Sequence, residues 1–356
     1  MSYARKQKFN LPYLQSNNYW ITLFFTSGLL IDVLYYELKI IGFYKVKEDV
    51  LICDVGQNWL ELWNKTYSIL KTAKLENSLT VTLNSTAEVD YSNHKKPSEL
   101  QIIAENMWLG YALQERRLIP YFQPIVGYNS YGGNNKIFGY EALIRATTEE
   151  GDIIGGDKII KASKALNIEY NIDRYAHVQA IKTFATSDCA GCLFLNFMTG
   201  FIQRPEVYLA GINDAVKLYK IVPQNLVLCF RNSEEIIDIK HLKNICEYAK
   251  SQRYMITIED VNTSDNTKKI ITEISPDFVK INSHVFGDLS KDYAQNAVRE
   301  IIDFSHKISS TVIAERIETE ENLKQFKALG IDLFQGYYFS PAISIKSSET
   351  SFLSLE

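Results

Sequence analysis

The chain has 356 residues, 46% of them hydrophobic and 22% charged, with a net charge of -4 and a pI near 5.9. This is enough apolar content and length for one large domain plus a smaller one. The acidic balance excludes a general binder of nucleic-acid polymers, which needs a basic surface to displace counterions. Five cysteines, Cys53, Cys189, Cys192, Cys229 and Cys246, are odd in number and scattered, so the chain reads as cytoplasmic, not as a secreted disulfide framework. Cys189 and Cys192 form a single CxxC with no second pair to complete a zinc site.

Residues 1–18 are polar and read as an irregular lead-in. From Trp20 to Ile41 the apolar residues recur at helical spacing, and Gly42 is a stop. Asp32, Glu37 and Lys39 keep this run short of the roughly 20 apolar residues a bilayer needs, so a core helix is expected and a membrane anchor is not. Phe43 to Val55 reads as a strand, Trp59 to Lys74 as an amphipathic helix and Leu79 to Val89 as a strand. These make a small α/β domain over residues 1–97, ending in the polar turn Asp90 to Pro97. A connecting helix over 98–118 is expected to begin at Ser98, whose Ser98-Glu99-Leu100-Gln101 stretch resembles a capping box.

The texture then changes to short apolar runs separated by helical patterns. Eight strand candidates are Tyr121 to Val126, Phe138 to Arg145, Leu193 to Phe197, Leu226 to Phe230, Met255 to Asp260, Phe278 to Ile281, Thr311 to Glu315 and Leu333 to Tyr337. Helical stretches such as Ile236 to Gln252, Tyr293 to Ile308 and Glu320 to Leu329 alternate with them. The pattern predicts a parallel sheet closed into a TIM-like (β/α)8 barrel over residues 119–345, with a tail at 346–356. An open doubly wound sheet is the alternative, but no glycine-rich nucleotide fingerprint follows a strand.

In such barrels chemistry gathers where the strands end. Asn196, Glu259 with Asp260, Lys280 and Glu315 lie at or near the ends of separate apolar runs. Within the strand Tyr140-Glu141-Ala142-Leu143-Ile144-Arg145, a carboxylate and a guanidinium stand four residues apart. Carboxylates and an amide oxygen suit Mg²⁺ or Mn²⁺, and a pair of such ions activates water for in-line attack on a phosphodiester. In that chemistry Lys280 holds or deprotonates the water, Arg145 grips a phosphate, and Gln123 and Gln335 supply hydrogen bonds. The five histidines lack pairing and read as surface or loop residues.

Residues 121 to about 342 resemble the EAL-domain family of cyclic di-GMP phosphodiesterases. The resemblance rests on Tyr121-Phe122-Gln123-Pro124-Ile125-Val126, on Glu141-Ala142-Leu143 with Arg145, and on Ile172-Asp173-Arg174. It continues through Leu193-Phe194-Leu195-Asn196, Asp277-Phe278-Val279-Lys280-Ile281, Ala314-Glu315-Arg316-Ile317-Glu318-Thr319 and Gln335-Gly336-Tyr337-Tyr338-Phe339. It implies a variant TIM barrel that binds cyclic di-GMP at its rim and, in active members, opens it to the linear dinucleotide with two metal ions. By resemblance Glu141, Asn196, Asp260 and Glu315 match metal ligands, Lys280 the water-handling residue and Gln335 a contact on the water side. Gln123, Leu143, Arg145 and Asp173 match positions that contact the dinucleotide.

The departures lie between Cys229 and Arg316. Where the family carries Glu-x-Thr-Glu, this chain reads Cys229-Phe230-Arg231-Asn232, which puts a soft thiol at an expected metal ligand. The family's Asp-Asp-Phe-Gly-Thr-Gly loop is Glu259-Asp260-Val261-Asn262-Thr263-Ser264, without either glycine. Asn282 and Arg316 stand where the family has Asp and Gly. The expectation is a degenerate barrel that binds cyclic di-GMP with hydrolysis lost or strongly reduced. Two alternatives stand beside it: an active phosphodiesterase using Mg²⁺ or Mn²⁺, and a protein-interaction regulator that no longer binds nucleotide. A homodimer is compatible with the family. The N-terminal domain reads as a sensory module or a degenerate GGDEF relative, with Val46-Lys47-Glu48-Asp49 as the only echo of that signature.

Overall fold

The computed structural model describes residues 14, 16, 18–128, 135–231, 238–287 and 289–345. Residues 1–13, the expected tail 346–356 and the departure at Asn232 lie outside the described residues. The chain divides into two compact units, residues 1–117 with 157–169, and residues 118–156 with 170–356.

The first unit is built from β1 (Tyr19–Phe25), α1 (Gly28–Ile40), β2 (Tyr44–Lys47), β3 (Val50–Gly56), α2 (Trp59–Thr72), β4 (Leu79–Asn84) and α3 (Pro97–Gln114), and it also takes in most of α4 (Gly156–Leu166). Its four strands form an antiparallel sheet in the order β2-β3-β1-β4, the arrangement of a βαββαβ ferredoxin-like unit. The expected single helix from Trp20 to Ile41 is two elements. The aromatic and β-branched run of β1 takes strand geometry, and Thr26-Ser27-Gly28 breaks the chain. Ser27 then caps α1 by accepting the Leu29 N–H at 3.3 Å.

The expected strand from Phe43 to Val55 is likewise a hairpin, turning at Glu48-Asp49 between β2 and β3. The third helix starts one residue before the expected Ser98, at Pro97, and its box contact runs from the Lys96 N–H to the Glu99 carboxylate at 2.9 Å. Trp59, Trp63, Leu70, Ile31 and Leu38 bury the helices' inner faces, with Ile21, Leu23, Leu51 and Val81 on the sheet. Among the described residues no helix is long and apolar enough to cross a membrane.

The second unit closes eight strands into a barrel. They are β5 (Leu118–Tyr128), β6 (Asn135–Thr147), β8 (Cys192–Phe197), β9 (Leu226–Arg231), β10 (Met255–Glu259), β11 (Phe278–Asn282), β12 (Thr311–Glu315) and β13 (Leu333–Phe334). A two-residue strand, β7 (Ile153–Ile154), extends the edge of β6. The strand order β5-β13-β12-β11-β10-β9-β8-β6 returns on itself through the β5–β6 pairing. Helices α5 (Glu169–Ala185), α6 (Pro205–Tyr208), α7 (Ala210–Tyr219), α8 (Ile239–Ser251), α9 (Asp265–Ile274), α10 (Asp292–Lys307) and α11 (Glu320–Ala328) follow the strands.

The TIM-like closure stands, but the expectation of an all-parallel sheet does not. β5 pairs antiparallel with both β6 and β13, and the remaining pairings around the barrel are parallel. The physical reason is loop length: only residues 129–134 separate β5 from β6, whereas a parallel crossover takes a dozen residues or more. The last strand is also shorter than the expected Leu333 to Tyr337, since it stops at Phe334.

Strand periodicity sorts the core into two layers. Ile125, Phe194, Val227, Cys229, Phe278, Ile313 and Leu333 cluster inside the barrel, with the rings of Phe194 and Phe278 5.3 Å apart in an edge contact. Their sequence neighbours Leu193, Leu195, Leu228, Val279, Val312 and Phe334 belong to the outer layer, beneath helical residues such as Ile245, Ile270 and Phe326.

Candidate functional site

The inner layer forms a floor, and the next residue on the same face of each strand stands above it. Asn196 follows Phe194, Arg231 follows Cys229, Glu259 follows Thr257, Lys280 follows Phe278, Glu315 follows Ile313 and Gln335 follows Leu333, each by two positions. Gln123 precedes Ile125 because β5 runs the other way. The period of two thus delivers six polar side chains from six parallel strands to one mouth, joined by Glu141 from β6.

Lys280 is the hub. Its Nζ lies 2.7 Å from Glu141 Oε2, 3.0 Å from Glu259 Oε1 and 2.9 Å from Glu315 Oε1, and the side chain is 0% exposed. Burial alone disfavours the ammonium, but the three carboxylates more than reverse this and hold its pKa well above the ordinary value. Burial also pushes the Glu141 carboxyl upward, yet Lys280 and bonds from Asn196 and Gln335 bring it below the usual carboxylate range. Glu259 goes the other way. Burial, opposed by Lys280 and reinforced by Glu315 and Glu141, raises it to about 7. Glu315 is raised as well, first by burial and then by Glu141, against the pull of Lys280. Three acids share one cation, and the shortfall appears as these raised carboxyls.

One side of the mouth is a continuous hydrogen-bonded network. Asn196 Nδ2 donates to Glu141 Oε1 at 2.6 Å, and Gln335 Nε2 donates to Glu141 Oε2 at 2.8 Å and to Gln123 Oε1 at 3.2 Å. Gln123 Nε2 in turn donates to the Ser340 carbonyl at 3.1 Å. Gly336 makes the placement of Gln335 possible: a Cβ there would collide with the Ile317 carbonyl, while the Ile317 N–H donates to the Gln335 carbonyl at 3.0 Å.

Sequence reasoning missed the support behind Asn196. His177 is buried, contrary to the expectation of surface or loop histidines, and its Nε2–H donates to the Asn196 carbonyl at 2.8 Å. The ring stacks on Phe197 at 4.1 Å. Burial, opposed by the Asn196 carbonyl, lowers its pKa to about 4 and keeps the imidazole neutral. The available signal was its position four residues after Asp173 on α5, which puts both on one helix face.

The other side of the mouth carries the departures. Cys229 is 1% exposed and shares a β-ladder position with Asn196 on one flank and Thr257 on the other. Burial, reinforced by the Glu259 charge, pushes its thiol well above the ordinary value, so it is a neutral SH group. Asp260 is not among the acids that contact Lys280, although its charge helps to raise the Glu315 carboxyl. It has a left-handed φ of 53°, and its Oδ2 lies 3.2 Å from Arg231 Nε. Arg231 itself pairs with Glu259 across β9 and β10. The sequence pattern marked this arginine only as a changed position.

The dinucleotide positions inferred from resemblance are spread around the same unit. Leu143 and Arg145 are half-buried on β6, and the Arg145 guanidinium donates to the Ile144 carbonyl at 2.9 Å and lies 5.8 Å from the Tyr121 ring centre. Asp173 is buried on α5, accepts the Tyr208 hydroxyl and lies 3.6 Å from His177 Nε2. Burial, against a bond from the Met198 N–H, raises its pKa well above the ordinary carboxylate value.

The donor atoms fit one hard divalent cation. Carboxylate oxygens of Glu141, Glu259 and Glu315 lie within 4.8 Å of one another, and Asn196 Oδ1 is a buried carbonyl oxygen without a protein donor. They do not fit a second ion on the other flank, where Cys229 is a neutral thiol and Asp260 is engaged by a guanidinium.

The barrel that carries this mouth has counterparts among known proteins. The model of the EAL domain matches residues 107–342, more than half of the chain, and the chain belongs to that family. The probable cyclic di-GMP phosphodiesterase PdeI of Escherichia coli K12 is 26% identical over 267 residues, covering 71% of this chain and 33% of that protein. Among solved structures, a standalone versatile EAL protein from Vibrio cholerae O395 in its c-di-GMP-bound form is 25% identical with a TM-score of 0.55, covering 66% of this chain and 97% of that one. The FimX EAL domain from Pseudomonas aeruginosa bound to c-di-GMP is 21% identical with a TM-score of 0.59, covers 69% and 96% of the two chains, and attests the fold. The chain spans about a third of the length of the curated relatives it matches.

Proposed function

We propose that this barrel mouth binds cyclic di-GMP and that phosphodiester hydrolysis there is lost or strongly reduced. The observation that carries this reading is Cys229, a buried neutral thiol at the strand position where the family pattern supplies a carboxylate. Hydrolysis with two hard cations needs oxygen ligands for both. Binding draws on the positions that match dinucleotide contacts by resemblance, Gln123, Leu143, Arg145 and Asp173. The c-di-GMP complexes of the Vibrio cholerae and Pseudomonas aeruginosa relatives support the choice of ligand.

A second reading is favoured by the oxygen cluster of Glu141, Glu259, Glu315 and Asn196, which suits one Mg²⁺ or Mn²⁺. In that reading these four residues would hold the ion, which would supply Lewis acidity at a phosphodiester, Lys280 would hold the attacking water, and the product would be the linear dinucleotide pGpG. In either case the first unit is a sensory or degenerate GGDEF-like module, and the five free thiols support a reducing cytoplasm as the setting.

The test is calorimetric titration of the full chain with cyclic di-GMP in Mg²⁺ and Mn²⁺, with chromatography for pGpG. Binding without product is expected. Catalytic turnover overturns the first reading in favour of the second, and neither heat nor product turns attention to a protein partner.

A further inference from the structure

Arg231 is the mouth residue for which neither the family pattern nor the acidic cluster accounts. Its strand position fixes its direction. On β9 it lies two residues beyond Cys229, which faces the barrel interior, and it pairs with Glu259, whose carboxylate contacts Lys280 at 3.0 Å. Arg231 therefore stands on the mouth side of the barrel, one level above the thiol. Its Nε lies 3.2 Å from Asp260 Oδ2, and the two side chains are 71% and 39% exposed, so the pair is open to solvent and not closed within the floor. Lys280 is enclosed by three acids, whereas Arg231 presents its charge to solvent.

A guanidinium is charged at every working pH and has five N–H donors in a planar fork that fits phosphate oxygens. The ion pair with Asp260 is made at Nε, one of the guanidinium's three nitrogens. Asp260 is the carboxylate that the resemblance gives to a metal ion, and here an arginine holds it. Chemically, a fixed organic cation has replaced a mobile inorganic one.

We infer that Arg231 is a built-in cation of the ligand site: its guanidinium holds Asp260 in place of a second divalent ion and grips a phosphodiester oxygen of the cyclic dinucleotide. Binding then proceeds without added metal. This rests on the proposed binding of cyclic di-GMP and deepens it.

The experiment titrates the full chain with cyclic di-GMP by calorimetry, once in EDTA and once in Mg²⁺, for the wild type, Arg231→Ala and Arg231→Lys. The wild type is expected to bind in EDTA with a Kd within about threefold of its Mg²⁺ value. Arg231→Ala weakens binding in EDTA by about tenfold or more and regains much of it in Mg²⁺, since Asp260 is released to hold an ion. Arg231→Lys keeps the charge but not the fork and falls between. Urea midpoints for the three proteins are expected to agree, because the residue is exposed at a strand end.

Equal affinity of Arg231→Ala and the wild type in EDTA overturns the inference. So does wild-type binding that requires Mg²⁺, and both results leave the proposed ligand standing. Absence of wild-type binding in either buffer removes the proposed function and this inference together.

Discussion

From Gln123 through Glu141 and Asn196 to Gln335, every side chain of the mouth is held by another, and the network is braced from behind by His177. From Cys229 through Arg231 to Asp260, the opposite arc has a neutral thiol, an exposed guanidinium and a carboxylate turned aside to meet it. Lys280 and its three glutamates stand between them. Both arcs are delivered by the same device, a strand period of two above a packed floor. The difference teaches that the barrel fixes positions and not chemistry: one scaffold carries a connected acid–amide network on one arc and a thiol, a guanidinium and its paired acid on the other.

The largest effect that would test this division is removal of its centre. Lys280→Met keeps most of the buried length but leaves Glu141, Glu259 and Glu315 facing one another without a cation. Breaking a buried ion pair on one side typically costs about 3–5 kcal/mol, and urea unfolding in EDTA should show a loss of that order. Millimolar Mn²⁺ should return part of it, because three carboxylates then have an ion to surround. A variant as stable as the wild type in EDTA would show that the acids are not held together by Lys280.

The intact arc and the central acidic cluster should also respond to pH with opposite signs. His177 is depressed from 6.5 to about 4, so its contribution is complete above the unfolded value and is lost as pH falls through that window. A shift of this size corresponds to about 3 kcal/mol. Glu259 is raised from 4.5 to about 7, so its contribution is complete below the unfolded value and is lost as pH rises through 7. Urea midpoints in EDTA should therefore decline on both sides of an intermediate pH. The two windows overlap and oppose each other, so Glu259→Gln should remove the decline above about pH 6.5 and leave a steeper rise below it; an alkaline slope unchanged by that substitution would assign it to other groups.

Cys229→Glu sharpens the comparison by restoring an oxygen to the altered arc. In EDTA the added carboxylate meets Glu259 and Glu141 and should lower stability, whereas Mg²⁺ or Mn²⁺ should raise it above its own metal-free value by more than it raises the wild type. Release of pGpG should increase by about tenfold, corresponding to about 1.4 kcal/mol in the barrier. If metal leaves both stability and product release unchanged, the thiol is not what limits this arc.

The barrel was legible because each buried strand repeats apolar residues and ends on a polar one, as Phe278 and Lys280 do. The direction of β5 was legible only through loop length, since strand composition carries no polarity. β1 was misread as helix because a run such as Tyr19 to Phe25, buried on both faces, has no alternation to contrast with helical spacing. At the site, Glu141, Asn196, Glu259, Glu315 and Lys280 were all identifiable from motif order, and the structure brings them together. The role of Arg231 was not, because its meaning comes from Asp260 on the neighbouring strand end, 29 positions away in sequence. His177 was hidden for the same reason, its partner being a backbone carbonyl 19 residues on.

The smallest expected effect concerns Asp173 behind the intact arc. Burial pushes its carboxyl well above the ordinary value, against a bond from the Met198 N–H, and so favours the uncharged acid, which also accepts the Tyr208 hydroxyl. Asp173→Asn preserves shape and neutrality: the amide oxygen still accepts from Met198, and the amide NH₂ donates to the tyrosine oxygen. The expected change in stability is under about 1 kcal/mol, because two hydrogen bonds are exchanged for two of similar strength. Asp173→Ala leaves the Tyr208 hydroxyl and the Met198 N–H without that partner and should cost about 1–3 kcal/mol. A loss as large for Asn as for Ala would mean that Asp173 is charged in the folded protein. The intact arc would then contain a buried anion facing a neutral His177, and its brace would be electrostatic instead of neutral hydrogen bonding.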